Sequence, residues 1–156
     1  MRGRILCLRE VERILAYLDG ELRCRHAILG EAIAQVSEKT GHPFRSWLLN
    51  ISTGIELQLN QSLGGDQLKD FYHIWSDSLI FLRDNTLLLN KDIDKLYDVG
   101  KALGYLDIES QQMNLDMERD ILHRHILDLD KDIASRMKNA IVMCFLGGIM
   151  TVIALL

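Results

Sequence analysis

Proline is almost missing from this chain, and strand-type alternation is missing altogether. Pro43 is the one proline in 156 residues, so helices can run far without a residue that removes a backbone donor. Without apolar–polar alternation there is no basis for a half-buried sheet. The three cysteines, Cys7, Cys24 and Cys144, have no paired spacing, which argues against a disulfide framework and for a reducing compartment. Basic excess is lacking too: 22 acidic against 18 basic residues give a net charge of −4, no footprint for binding nucleic acid. Arg2, Arg4 and Arg9 interrupt the first ten residues, and no secretory signal peptide is read there.

What is present is leucine at helical spacing. Six helices are expected, and the length favours one domain with a real core. The first spans about Ile5 to Arg25, with Ile5, Leu8, Val11, Leu15, Leu18 and Leu22 on one stripe and Gly20 as an internal weak point. The second spans Leu29 to Lys39 and closes at Thr40-Gly41. The third starts at Pro43, a residue suited to a first helical position, and runs to Gln61. Ser62-Leu63-Gly64-Gly65 breaks it, and Asp66 caps a fourth helix, Gln67 to Arg83, with Phe71, Ile74, Trp75, Leu79 and Leu82 inward. Asn90 or Asp92 opens the fifth, which ends at Leu103 with Gly104 in the C′ position. Asp107 caps the sixth, whose stripe is Leu115, Leu122, Ile126, Leu129, Ile133 and Met137.

One long apolar run stands apart. Residues Ala140 to Leu156 carry neither charge nor amide, at the lower edge of the ~17–25 residues that cross a bilayer. The expected organisation is therefore a helical domain over residues 1–139 and a transmembrane helix over residues 140–156, with the sixth helix continuing unbroken into it for about 70 Å. Arg2, Arg4 and Arg9 at one end, and Lys131, Arg136 and Lys138 before the tail, are expected to flank the membrane and keep the domain cytoplasmic. In the tail, Ala140, Cys144 and Gly148 recur every four residues, and Gly147 pairs with Thr151. That spacing of small residues admits close approach of another helix, a second copy included.

Six helices joined by short loops form an antiparallel bundle, and an even number returns the chain to its starting side. The loops after the first, third and fifth helices then share the membrane-distal tip, roughly 45–50 Å from the bilayer. Catalytic and metal constellations are not evident. His123 and His125 are two apart and cannot share a metal from one helix; His26, His42 and His73 are isolated. Asp128, Asp130 and Asp132 read as a solvated face. Gly64-Gly65 lacks the Lys-Ser/Thr of a phosphate loop, and no cofactor is expected.

The segment Leu103-Gly104-Tyr105-Leu106-Asp107-Ile108-Glu109-Ser110-Gln111-Gln112 resembles the signature loop of the stage III sporulation protein AB family, where glycine pairs precede an aspartate and glutamines that open the last helix. Gly100 fills the first glycine, with Val99 in place of the usual aromatic. Leu18-Asp19-Gly20-Glu21-Leu22, His26 and Leu29-Gly30-Glu31-Ala32 are similar to the family's first helix and turn, although Ala27-Ile28 replaces its threonine-proline. Lys138 and the apolar run match its C-terminal anchor. The resemblance implies a six-helix domain like the cytoplasmic domains of the type II secretion F protein. It implies a non-enzymatic platform of the secretion-like channel between mother cell and forespore, in the mother-cell membrane. The implied partners are the membrane, other channel proteins of the operon and their ATPase-like component. The family's N-terminal transmembrane helix is not found ahead of Arg2.

His26, Leu29, Glu31, Gly104, Asp107, Gln111 and Gln112 are thus expected at one distal surface as partner contacts, with Gly104 and Asp107 also serving as helix stop and cap. A generic tail-anchored scaffold or regulator is the alternative. A small membrane-associated enzyme is a further one, and would need a buried polar pocket that no spacing supplies.

Overall fold

The computed structural model describes the backbone of residues 2–25, 28–61, 67–104 and 108–155. Side chains are described along these stretches except at 24–25, 59–61, 67–70, 108–109, 111 and 146–155. Six helices account for the fold: α1 Arg2–Arg25, α2 Leu29–Glu38, α3 Phe44–Gln61, α4 Gln67–Asn85, α5 Asn90–Leu103 and α6 Ile108–Leu155. No strand occurs among the described residues. Each helix packs on the next, and α6 closes back on α1.

The expected apolar stripes form the core. In α1, Ile5, Leu8, Val11, Leu15, Leu18 and Leu22 are all buried, joined by Ile14. At the centre, Trp47 of α3 and Trp75 of α4 meet edge to face, 5.1 Å between ring centroids, a favoured aromatic geometry. Their polar edges are satisfied in relay. Trp47 Nε1 donates to Ser78 Oγ at 2.9 Å, Ser78 Oγ donates to the Trp75 carbonyl at 2.6 Å, and Trp75 Nε1 donates to the Leu96 carbonyl of α5 at 2.7 Å. The same indole lies on Gly100, where a Cβ would collide with its ring. Gly100 therefore has a packing reason that the sequence reading did not supply.

Several boundaries differ from expectation for local reasons. The third helix begins at Phe44, and Pro43 stands in the turn ahead of it behind a cis bond from His42. α5 is capped from N3: Asp92 Oδ2 accepts the Leu89 N–H at 2.9 Å, reaching back as in a capping box. Gly104 ends α5 at φ −78°, so it does not use the left-handed conformation that favours glycine at C′. The caps expected from Asp66 and Asp107 lie outside the described residues.

α6 is one 48-residue helix, about 72 Å long. Leu115, Leu122, Ile126 and Leu129 are buried. Ile133 is only partly buried, and Met137, the last member of the expected stripe, is 47% exposed. The stripe continues in sequence, but the bundle beneath it ends. The helix then runs on through residues 140–155. Among the described residues, no helix is long and apolar enough to cross a membrane; side chains from 146 onward lie outside them.

Candidate functional site

Pairing along the α1–α6 seam fixes which helix ends meet. Arg2 Nη2 donates to Met137 Sδ at 3.6 Å and Arg9 Nη2 to Asp130 Oδ2 at 2.5 Å. Glu12 Oε1 lies 2.6 Å from His123 Nδ1, Arg119 Nη1 donates to Asp19 Oδ2 at 3.4 Å, and Arg23 pairs with Asp116. Partner numbers fall on α6 as they rise on α1, so the two run antiparallel. Solvent-screened ion pairs of this kind add little stability; here they mark the register that the packed apolar stripes hold. Asp130, expected on a solvated face, belongs to this seam.

At the end of the bundle that the sequence leads one to expect at the distal tip, Arg23 and Asp116 join the end of α1 to the start of α6. A Cβ on Gly30 would touch Ile55 at 3.2 Å, and one on Gly104 would meet Phe71 at 3.9 Å, so α2–α3 and α4–α5 also meet near this end. The expected distal residues divide accordingly. Leu29 packs partly buried against the core, Glu31 is exposed in the first turn of α2, and Gly104 and Gln112 are half-buried at the α5–α6 junction. They share one end of the molecule, with α1 between α2 and α6. His26, Asp107 and the side chain of Gln111 lie outside the described residues.

The most organised polar cluster was not expected, and it lies at the opposite end. Arg4 donates to Asp92 through both Nε and Nη2, at 2.7 and 2.6 Å, a bidentate charge-assisted pair. Asp92 is 1% exposed and Arg4 7%. His125 Nε2 lies 3.2 Å from Asp92 Oδ1 and 3.3 Å from Arg4 Nη2. Three helices, α1, α5 and α6, thus meet on one carboxylate. Burial works to raise the Asp92 pKa, but the Arg4 guanidinium, the Leu89 N–H and His125 outweigh it and hold it below the ordinary aspartate range. The bond to Asp92 likewise raises the Arg4 pKa against its own burial. On the α5–α6 seam Glu118 shifts the other way, raised by burial and by Asp98 and only partly relieved by Lys95.

Arg4 was expected to flank the membrane as a solvated cation, and the structure corrects that: its charge is spent inside the bundle. The signal was in the spacing. Arg4 precedes Leu8, Val11 and Leu15, Asp92 precedes Leu96, Val99 and Leu103, and His125 sits three past Leu122 and four before Leu129. Each continues an apolar stripe at helical spacing, where a polar residue must find a buried partner.

Beside this node, α1 and α6 enclose an open groove of about 550 Å³. Ile5 and Leu6 face Ile133, Met137 and Ile141 across it, and Arg2, Arg9 and Lys138 stand at its edge with Asp130. Of the other expected basic residues, Lys131 is exposed, 3.9 Å from Asp128, and Arg136 is exposed. Ala140 and Cys144 are exposed on the free part of α6; Gly147 and Gly148 have backbone only. Among the described residues, no group of three or more His, Cys, Asp or Glu could hold a metal. His123 meets Glu12 of α1, whereas His125 meets the Arg4–Asp92 pair between α1 and α5, so the two rings do not converge on one site.

The model of the stage III sporulation protein AB family (spore_III_AB) matches residues 1–156. A solved structure titled "Stage III sporulation protein AB (SpoIIIAB)" is similar over 84% of this chain and 96% of its own, at 21% identity and a TM-score of 0.68, a likeness of fold. A search of curated proteins found no match. Matched along its whole length, the chain belongs to the stage III sporulation protein AB family.

Proposed function

We propose that the chain is a non-enzymatic membrane platform of the secretion-like channel between mother cell and forespore, with its bundle on the cytoplasmic side. The family match over residues 1–156 carries this reading. It is supported by the shape of α6, which leaves the bundle after Ile133 and continues as helix through the uncharged segment from Ala140. That segment is proposed to lie in the membrane, its Ala140, Cys144, Gly147 and Gly148 offering a close-packing face to a neighbouring helix. The distal end is proposed to contact the ATPase-like component or another channel protein.

Two measurements test the proposal. Deletion of the gene with spore counting is expected to abolish heat-resistant spores after engulfment, and a wild-type count would overturn the role. The distal surface is tested by combining Glu31→Ala with Gln111→Ala. That variant is expected to keep the wild-type fold and membrane level yet block sporulation, and normal spore yield would overturn the distal contact. A generic tail-anchored scaffold predicts no sporulation phenotype from either change.

A further inference from the structure

The α1–α6 seam is closed by ion pairs from Arg23–Asp116 to Arg9–Asp130, and past that last pair it opens. The groove there has an apolar floor that water would otherwise wet: Leu6 is 64% exposed, Met137 47% and Ile141 66%. Its edge is cationic. Arg9 already holds Asp130, the one acidic residue lining the groove. That leaves Arg2 and Lys138 without a carboxylate partner among the described residues; Arg2 contacts only the Met137 sulfur. The volume falls within the range of about 300–1,000 Å³ typical of small-molecule sites. At its far end, Ile141 leads into the exposed Val142, Met143 and Phe145 of the free helix.

We propose that this groove holds one anionic phospholipid, one of its two acyl chains along Ile5, Leu6, Ile133 and Met137 and its phosphodiester between Arg2 and Lys138. The proposal rests on the membrane reading of α6 above. Charge decides the class of occupant: two uncommitted cations at the rim of an apolar trough match a headgroup with net negative charge on an acyl tail, and a zwitterionic lipid would bring an ammonium to the same rim. The open end along α6 gives an acyl chain a path from the bilayer without crossing charge. The buried Arg4–Asp92–His125 cluster contributes no charge to the rim, because Arg4 is neutralised where it stands.

The test uses the full chain, reconstituted in vesicles of phosphatidylcholine alone or mixed with phosphatidylglycerol. Flotation reads membrane insertion, and native mass spectrometry after detergent release reads the retained lipid. Wild type is expected to float with both vesicles and to retain one phosphatidylglycerol selectively. Arg2→Gln with Lys138→Gln is expected to float equally but to lose that preference by roughly 30-fold, about fivefold per juxtamembrane cation. Leu6→Gln, a solvent-facing change, is expected to weaken retention of the chain-bearing lipid. Equal retention of both lipids, an unchanged preference in the double variant, or dimers that occupy the groove without lipid would each overturn the proposal while leaving the anchor intact. Failure to float with either vesicle would overturn the membrane reading itself.

Discussion

At the residue scale, Asp92 carries two duties that a substitution can separate. It neutralises Arg4 and it caps α5 through the Leu89 N–H. Asp92→Ala removes both and strands a buried guanidinium, a change expected to cost about 3–5 kcal/mol. Asp92→Asn keeps an acceptor for the cap and is expected to cost less. Urea unfolding of the two variants checks the order. Because the folded-state pKa of Asp92 is depressed, its contribution is complete above the ordinary aspartate range and is lost below it, as pH falls through the lower folded-state pKa. The gap between wild type and Asp92→Asn should therefore hold from neutral pH down to the ordinary aspartate pKa of about 3.9 and shrink only below it. Glu118 has the opposite sign: its raised pKa means folding favours the protonated acid, so Glu118→Gln should stabilise most at neutral pH. The two glycines of the signature also separate. A Cβ at Gly100 would strike the Trp75 ring, whereas one at Gly104 meets the Gly100 carbonyl at 3.4 Å, ordinary contact. Gly100→Ala is expected to cost about 1–3 kcal/mol by overpacking, and Gly104→Ala to leave the melting temperature nearly unchanged. A sporulation defect in Gly104→Ala with a normal melt would mark that position as a contact.

At the scale of the element, the sequence was most legible where apolar spacing had a partner helix to answer it. The stripes of α1, α4 and the first half of α6 are the core that their periodicity describes. Legibility failed where a stripe outran its partner or carried a charge. Met137 keeps the spacing but stands where the bundle has ended, and Arg4 keeps the spacing of a leucine while being an arginine. Arg4, grouped by its charge with the membrane-flanking basic residues, sits instead in a buried ion-pair node with Asp92. Gly104 follows the last helical residue of α5 as its type suggests, but at φ −78° it is not left-handed, so backbone conformation does not explain glycine at that position. The seam between α1 and α6 leads to a contrasting expectation. Arg9→Ala and Asp130→Ala should each change stability by less than about 1 kcal/mol in a thermal melt, although both sit in close ion pairs.

At the scale of the whole molecule, the core and the free helix are expected to be nearly independent in stability. The last buried core residue of α6 is Leu129, with Ile133 partly covered. A chain cut after Asn139 should therefore keep its helical circular dichroism and melt within a few degrees of the full chain, while losing flotation. A large loss of stability on truncation would show that the free helix folds back onto the bundle. The distal surface was legible only in outline. The even helix count brings these helix ends together, while His26, Asp107 and the side chain of Gln111 lie outside the described residues, which leaves Leu29, Glu31, Gly104 and Gln112 as the positions that the structure places.

The continuity of α6 has a rotational consequence. An unbroken helix turns by roughly 100° per residue, so once Asp130 is set against Arg9, the azimuth of every later residue is set as well. Cys144 then lies roughly 40° round from Asp130. The bundle acts as a key that indexes the apolar half like a shaft. One alanine inserted after Asn139 would leave the core untouched and rotate everything beyond it by roughly 100°, presenting a different face of that half to its neighbours.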